Sequence, residues 1–370
     1  MSSQILDGVL QQIIQLGGEA LFVTDPYNIF YLTGFLGKIP HARESSFLLS
    51  KEKALLFVPE MYRQEALSSS AVVSGHVTVV ADPERDRLLS LFEQHLPIQT
   101  KVLVEGENLS YVEFKNLFEH SAHKIIPSEG LIRELRQIKS SEEIAKLRKA
   151  EEITVATLNE TLRFLRLANF EELSELDLVD KIQRIALDIG AQGLGFETIV
   201  ASGPGSASPH YKPTTKKVKK NEALLIDLGM LHQGYTGDLT RTVFLGKAPD
   251  KFKNAYAAVL EANTKSIAAC KAGISAEALY HVSKDSLAAH GLDAHYIHGL
   301  GHAVGVEIHE EPKLRAGRKE LLKPAMCITI EPGLYFQGEF GIRIEDLVVV
   351  QSDGCTVLSD LAAKELVEIG

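Results

Sequence analysis

Cysteine is scarce in this chain, with three in 370 residues, and Cys270, Cys327 and Cys355 lie far apart outside any Cys-x-x-Cys pattern. An odd, scattered set makes neither a disulfide framework nor a zinc knuckle, and it reads as reduced thiols of a cytoplasmic protein. Positive charge is also short: 39 Lys+Arg face 49 Asp+Glu, for a net charge of −10. With no long basic stripe, nucleic acid is not expected as the main partner. The lysines of KKVKK (216–220) read as a solvated approach to a hairpin, a phosphate-binding role being the alternative. Long apolar runs are missing too. No window approaches the roughly 18 uninterrupted apolar residues of a membrane span, so no membrane partner is expected. The opening MSSQILDGVLQQIIQLGG has apolar residues at helical spacing and an internal Asp. It lacks the charged start and continuous apolar block of a signal peptide.

What is present is enough apolar content, 45%, to build the cores of two domains. Over the first part, short β-like runs (EALFVTD, SFLLS, ALLFVP, VTVV, KVLVE) alternate with helical ones (QILDGVLQQIIQL, EMYRQEAL, PERDRLLSLFEQHL). KEK at 51–53 suggests a hairpin turn. A long helical pattern then starts at SSEEIAKLRKAEE, where Ser140 or Ser141 can cap and Glu142 and Glu143 suit the positive end. SELDLVDKIQRIALDIG continues the helical style, and two more helices are expected over 250–271 and 275–290, with strands between and after. The chain thus reads as an α/β domain over residues 1–132 followed by an α+β domain over 133–370.

The chemistry lies in the second part. Asp227 interrupts the apolar run LLIDLG, and Asp238 follows eleven residues later. Glu331 ends the strand-like ITIE, and Glu345 sits inside GIRIEDLVVV. A carboxylate taken out of water is costly unless positive charge meets it, and the sequence offers no obvious Lys or Arg for Asp227. Of the histidines crowded between 290 and 309, His298, His302 and His309 stand among Gly299, Gly301 and Gly305, which let the backbone approach a ligand closely. His290 and His295 read as ordinary surface or core residues. Four acids at strand positions beside a glycine-framed histidine fit a shared divalent charge; a structural ion-pair network is the alternative. The set is too rich for one tetrahedral zinc and suits two cations, with carboxylate-rich ligation favouring Mn(II) over Co(II) or Zn(II).

In order and spacing, Asp227, Asp238, His302, Glu331 and Glu345 resemble the five metal ligands of the pita-bread metallopeptidases. ASGPGSASPH, DLTRT, HGLGHAVGVEIHEEP, EPGLY and GIRIED are similar to the proline-specific branch, aminopeptidase P and prolidase. NIFYLTGF (28–35) and RQIKSSEEI resemble its creatinase-like N-terminal domain and opening helix.

The resemblance implies a dinuclear centre in which Asp227 and Asp238 hold one ion. His302 and Glu331 hold the other, with Asp238 and Glu345 bridging. It makes Glu331 the general acid/base, His210 a stabiliser of the tetrahedral intermediate, His309 a hydrogen-bond donor and proton relay, and His298 a substrate-side contact. Arg343 orients Glu345 or the substrate, or forms a plain ion pair; Tyr335 is an active-site tyrosine; Thr240 supports Asp238. Gly237 and Gly205 depart from the family's frequent serine and asparagine. Peptides with proline second are the implied substrates, and a homodimer the implied assembly. A methionine aminopeptidase would not need the N-terminal domain, a creatinase-like amidinohydrolase lacks the ligands, and a non-catalytic binding module would lose ligands or gain acidic tails. Between peptide lengths, the sequence points to an aminopeptidase P type, because no clear extra arginine stands beside the pocket motifs, Arg315 and Arg318 after HEEP reading as exposed loop. Prolidase is the alternative, with Lys38, His41 and Arg43 of GKIPHARES as candidate carboxylate-binding residues.

Overall fold

The computed structural model describes residues 3–37, 44–82 and 94–370. The chain divides into two compact units, Met1–Arg136 and Gln137–Gly370.

In the first unit the five expected strands form, at Ala20–Val23, Ser46–Ser50, Ala54–Pro59, Thr78–Asp82 and Lys101–Glu105, and Lys124–Ser128 adds a sixth. Ala20–Val23 pairs antiparallel with Ser46–Ser50 and parallel with Lys101–Glu105 near the middle of the sheet. Its residues are all buried, and alternate ones feed different clusters: Leu21 and Val23 pack with Phe47 and Leu56, Ala20 and Phe22 with Leu48 and Phe57. A strand covered on both faces reads as a continuous apolar run, which is why LFV shows no alternation. KEK closes the hairpin between Ser46–Ser50 and Ala54–Pro59. The helix expected over PERDRLLSLFEQHL falls mostly on residues 83–93, outside the described residues.

The second unit runs twice through the same order, a helix pair and then antiparallel strands. Ser140 caps the helix Ser141–Leu167 in a reciprocal capping box with Glu143. Ser174 does the same with Asp177 for Glu175–Ile189. These helices pack on the strands Ile199–Ser202, Glu222–Leu228 and Leu239–Leu245 through Leu158, Ile182, Leu224 and Val243. The helices Asp250–Ala269 and Ala276–Ala288 pack on a five-stranded sheet that includes Gly301–Ala303, Glu310–Leu314, Cys327–Ile330 and Asp346–Gln351. The two halves meet where Leu239–Leu245 runs beside residues 340–345: Glu345 N–H donates to Thr240 O at 3.1 Å, and Arg343 N–H to Thr242 Oγ1 at 3.1 Å.

Candidate active site

The site sits on that seam. Asp227 occupies the strand Glu222–Leu228 directly opposite Thr240, and Asp238 immediately precedes the paired strand Leu239–Leu245. Glu345 lies between Phe340–Arg343 and Asp346–Gln351, held by Thr240 Oγ1 at 2.7 Å. Carboxylate oxygens of Asp227, Asp238 and Glu345 all come within 4.8 Å of one another. His302 Nε2 lies 3.7 Å from Asp238 Oδ2 and 3.5 Å from Glu331 Oε1, and Thr329 Oγ1 donates to the same Glu331 oxygen at 3.2 Å.

Arg343 is the partner of Asp227 that the local sequence does not show. Its Nη2 donates to Asp227 Oδ2 at 2.6 Å across 116 residues of chain. Its remaining donors go to Thr240 Oγ1, Tyr335 OH and Pro209 O. Of the two expectations for this arginine, an ion pair is what forms, with Asp227 rather than Glu345. One guanidinium does not balance the cluster. Four carboxylates share this one arginine, which leaves the ionised cluster with an excess of negative charge, and Asp227 Oδ1 is buried with no hydrogen-bond partner.

Electrostatics reflect that shortage. Burial, then the Glu345 and Asp227 charges, pushes the Asp238 carboxyl well above its usual range. Burial, then Glu331 and Asp227, does the same to Glu345. Burial raises Glu331 to about 7 against the pull of Arg343. The imidazoles move the other way: burial, then His309, lowers His302 to about 3, and burial, then Arg343, lowers His298 to about 4.

Both imidazoles are therefore neutral near pH 7, and their partners assign the tautomers. His302 Nδ1–H donates to Ala303 O at 3.2 Å, which turns the Nε2 lone pair toward Asp238 and Glu331. A lone pair facing two carboxylates is repulsive unless a cation lies between them. An unpartnered Asp227 oxygen, that lone pair and the negative excess fit a divalent-cation centre. His298 Nδ1–H donates to Gly299 O at 2.7 Å, so its Nε2 accepts from Tyr335 OH at 2.9 Å.

The cavity over these groups has a volume of about 420 Å³ and is also lined by His210, His309, Phe196, Ile199, Ile308 and Lys313. The His302 and His309 rings meet edge-on at 4.4 Å. His290 instead bonds Glu261 on the surface at 2.8 Å, and His295 packs on Phe336.

The glycines expected to let a ligand approach make room for protein instead: a Cβ on Gly299 would meet the Leu314 carbonyl, and one on Gly305 the Glu310 carboxylate. A Cβ on Gly301 would meet the Thr329 carbonyl, so this glycine admits the neighbouring strand. A Cβ on Gly237 would meet Thr154 Oγ1 and Glu151 Oε2. The fully buried Glu151 takes the space a serine would need and accepts the Asp238 N–H at 2.8 Å. The sequence reading missed Glu151, Lys313 and the apolar wall of Phe196, Ile199 and Ile308. It also missed Arg241, which anchors the Glu345 segment through Asp346 at 2.9 Å. An acid inside a helix repeat and a cation directly after a motif carry no strong local signal; period-2 alternation along Glu310–Leu314 could have flagged Lys313.

Comparison with known proteins agrees with this architecture. Residues 145–352 match metallopeptidase family M24, and residues 6–138 match the creatinase/prolidase N-terminal domain. An uncharacterized peptidase of Staphylococcus aureus is 32% identical over 353 residues, 95% of this chain and 97% of that one. Among solved structures, the Xaa-Pro dipeptidase from Bacillus anthracis aligns with a TM-score of 0.90 at 28% identity, covering 99% of both chains. The X-Pro aminopeptidase from Thermotoga maritima aligns at 0.88 and 27%, covering 98% of this chain and 99% of that one. The prolidase from Pyrococcus furiosus aligns at 0.83 and 30%, covering 95% and 98%. With the family matched over most of the catalytic unit and the relative over nearly the whole chain, this protein belongs to metallopeptidase family M24, whose members are divalent-metal peptidases.

Proposed function

We propose that the chain is a dinuclear-metal peptidase that releases the N-terminal residue from peptides with proline second, with Mn(II) as its preferred ion. The observation that carries this reading is the cluster of Asp227, Asp238 and Glu345 oxygens within 4.8 Å, closed by the His302 Nε2 lone pair and Glu331. Asp227 and Asp238 would hold one ion, His302 and Glu331 the other, with Asp238 and Glu345 shared. When bound, such a pair lowers the pKa of water and polarises the scissile carbonyl.

The remaining work falls to the chain. Glu331 accepts the proton of the attacking water and returns it to the departing proline nitrogen. That nitrogen belongs to a tertiary amide without an N–H, so recognition rests on ring packing rather than on a backbone donor. Phe196, Ile199 and Ile308 offer the apolar surface for it. His210 and His309 line the same cavity and supply N–H donors where oxyanion charge develops. Tyr335 and His298, joined at 2.9 Å, brace Arg343 and through it Asp227.

Likeness to an Xaa-Pro dipeptidase, a prolidase and an X-Pro aminopeptidase supports the proline specificity. Lys38, His41 and Arg43 lie outside the described residues. The test is hydrolysis of a panel of Xaa-Pro peptides after metal stripping and reconstitution with Mn(II), Co(II) or Zn(II). Cleavage restored by metal and confined to Xaa-Pro bonds is expected. Activity that survives exhaustive chelation refutes the mechanism.

A further inference from the structure

We infer that Tyr211, held by the buried carboxylate of Glu175, is a positioning residue that fixes His210 in the cavity. The inference rests on the Xaa-Pro reading above, in which His210 supplies an N–H donor to the oxyanion, and adds to it how that donor is placed. His210 is exposed and lies between the strands Ile199–Ser202 and Glu222–Leu228, on a turn that Tyr211 N–H closes on Ser208 O at 3.2 Å. An exposed ring on a turn takes its position from the backbone beside it. Both neighbours of His210 are tied to buried charged groups. On one side Arg343 Nη1 donates to Pro209 O at 3.3 Å. On the other, Tyr211 OH donates to Glu175 Oε2 at 2.9 Å.

Glu175 is built as an anchor. It opens the helix Glu175–Ile189 directly after the Ser174 cap, where the helix dipole favours negative charge, and it is fully buried. Its Oε1 accepts from Ser202 N–H at 3.0 Å and from Ser202 Oγ at 2.7 Å. Lys216 Nζ donates to the same Ser202 Oγ at 2.7 Å, which leaves the serine proton for Glu175. Besides Tyr211, Oε2 accepts from Thr214 N–H and Thr214 Oγ1, each at 3.0 Å. One carboxylate thus holds the segment that carries His210 at both ends, Ser202 before it and Thr214 after it. Bonds to an ionised acceptor are about twice as strong as neutral ones, so the fastening is firm.

The Tyr211 ring is seated from a second side. A Cβ on Gly205 would stand 2.9 Å from the Cε2 and Cζ atoms of that ring. Gly205, which departs from the family's frequent asparagine, therefore leaves the space that Tyr211 fills. Ring and hydroxyl act together: the ring lies against Gly205 while the hydroxyl reaches Glu175. His210, one residue earlier, then lines the cavity that Asp227 and Glu331 also line.

The experiment measures kcat, KM and metal content on the metal-reconstituted full chain, with Ala-Pro and Ala-Pro-Ala as substrates. Tyr211→Phe keeps the ring and removes the hydroxyl. It should lower kcat by about 10-fold, within the roughly 10²-fold that a 1 Å misplacement can cost, with KM and metal content near wild type. Gly205→Ala crowds the ring while keeping the hydroxyl; it should give the same split, and it serves should Tyr211→Phe fold poorly. In a His210→Ala background neither substitution should cost anything further, because the group they position is gone. An equal fold-loss with and without His210, a loss carried by KM or by metal content, or full activity of both variants overturns the inference and leaves the Xaa-Pro reading intact. So does a His210→Ala variant as active as wild type. Cleavage of no Xaa-Pro peptide by the reconstituted wild type overturns both.

Discussion

Replacing Lys139 by methionine removes one half of an ion pair that holds the His309 segment in place. Lys139 Nζ lies 2.9 Å from Glu310 Oε2, and the two side chains are only 1% and 5% exposed. The other Glu310 oxygen accepts Glu307 N–H at 3.3 Å, so this carboxylate fastens a turn on one side and a helix entry on the other. Without the lysine, a buried carboxylate loses its ion-pair partner, a loss of about 3–5 kcal/mol when one partner of a buried pair is removed. For a unit of this size, each kcal/mol moves the thermal midpoint by about 2–4 °C, so the drop should be about 6–20 °C. Scanning calorimetry on the metal-loaded full chain reads it. The double variant Lys139→Met/Glu310→Gln leaves no unmatched charge and should recover a good part of the midpoint. Activity should recover less than stability, because Glu310 adjoins His309. A midpoint shift under about 3 °C, or a double variant no better than the single, refutes the reasoning.

Asp227→Asn should abolish turnover together with metal, whereas Glu331→Gln should abolish turnover and retain some metal; elemental analysis beside the peptide assay separates them. His210→Ala and His309→Ala should lower kcat by about 10²-fold at near-normal metal content. His290→Ala and His295→Ala should change little, and four equal responses would count against the assignment. In the first unit, burial raises Glu105 to about 7 despite its three donors from Thr24, Asp25 and Asn28. A carboxyl whose folded pKa exceeds its unfolded value stabilises below the unfolded pKa, and that contribution is lost as pH rises through about 7. The thermal midpoint should therefore fall more steeply between pH 5 and pH 8 in wild type than in Glu105→Gln; equal slopes contradict this.

The four acids were legible because each breaks a local rule: a carboxylate in a run otherwise fit for a buried strand is anomalous within five residues of context. Their partners were not. Arg343 reaches Asp227 only because two strands distant in sequence lie side by side, and no window of sequence contains both. Lys313 escaped for a related reason, since its place on the cavity wall comes from pairing with His302 rather than from its neighbours. In the first unit, Pro26–Thr33 is a helix with an Asp25 cap, a proline in its first turn and Gly34 in the left-handed conformation at its end. Those three signals were on the page, but its wholly buried face hides the helical period. Lys124–Ser128 went unread because Pro127 argues against a strand; as an edge strand it tolerates the missing donor.

The seam between the two halves of the second unit has a consequence for how substitutions combine. Asp227 and Asp238 come from one helix-pair-and-sheet half, while His302, Glu331 and Glu345 come from the other. Neither half alone carries all five groups, so the cluster exists only when both halves are folded and docked on each other. Mutational drift in either half is felt at the same place: a repacked core on one side shifts two acids against three groups on the other. The joint is thus the part of the molecule where substitutions in the two halves are expected not to add independently.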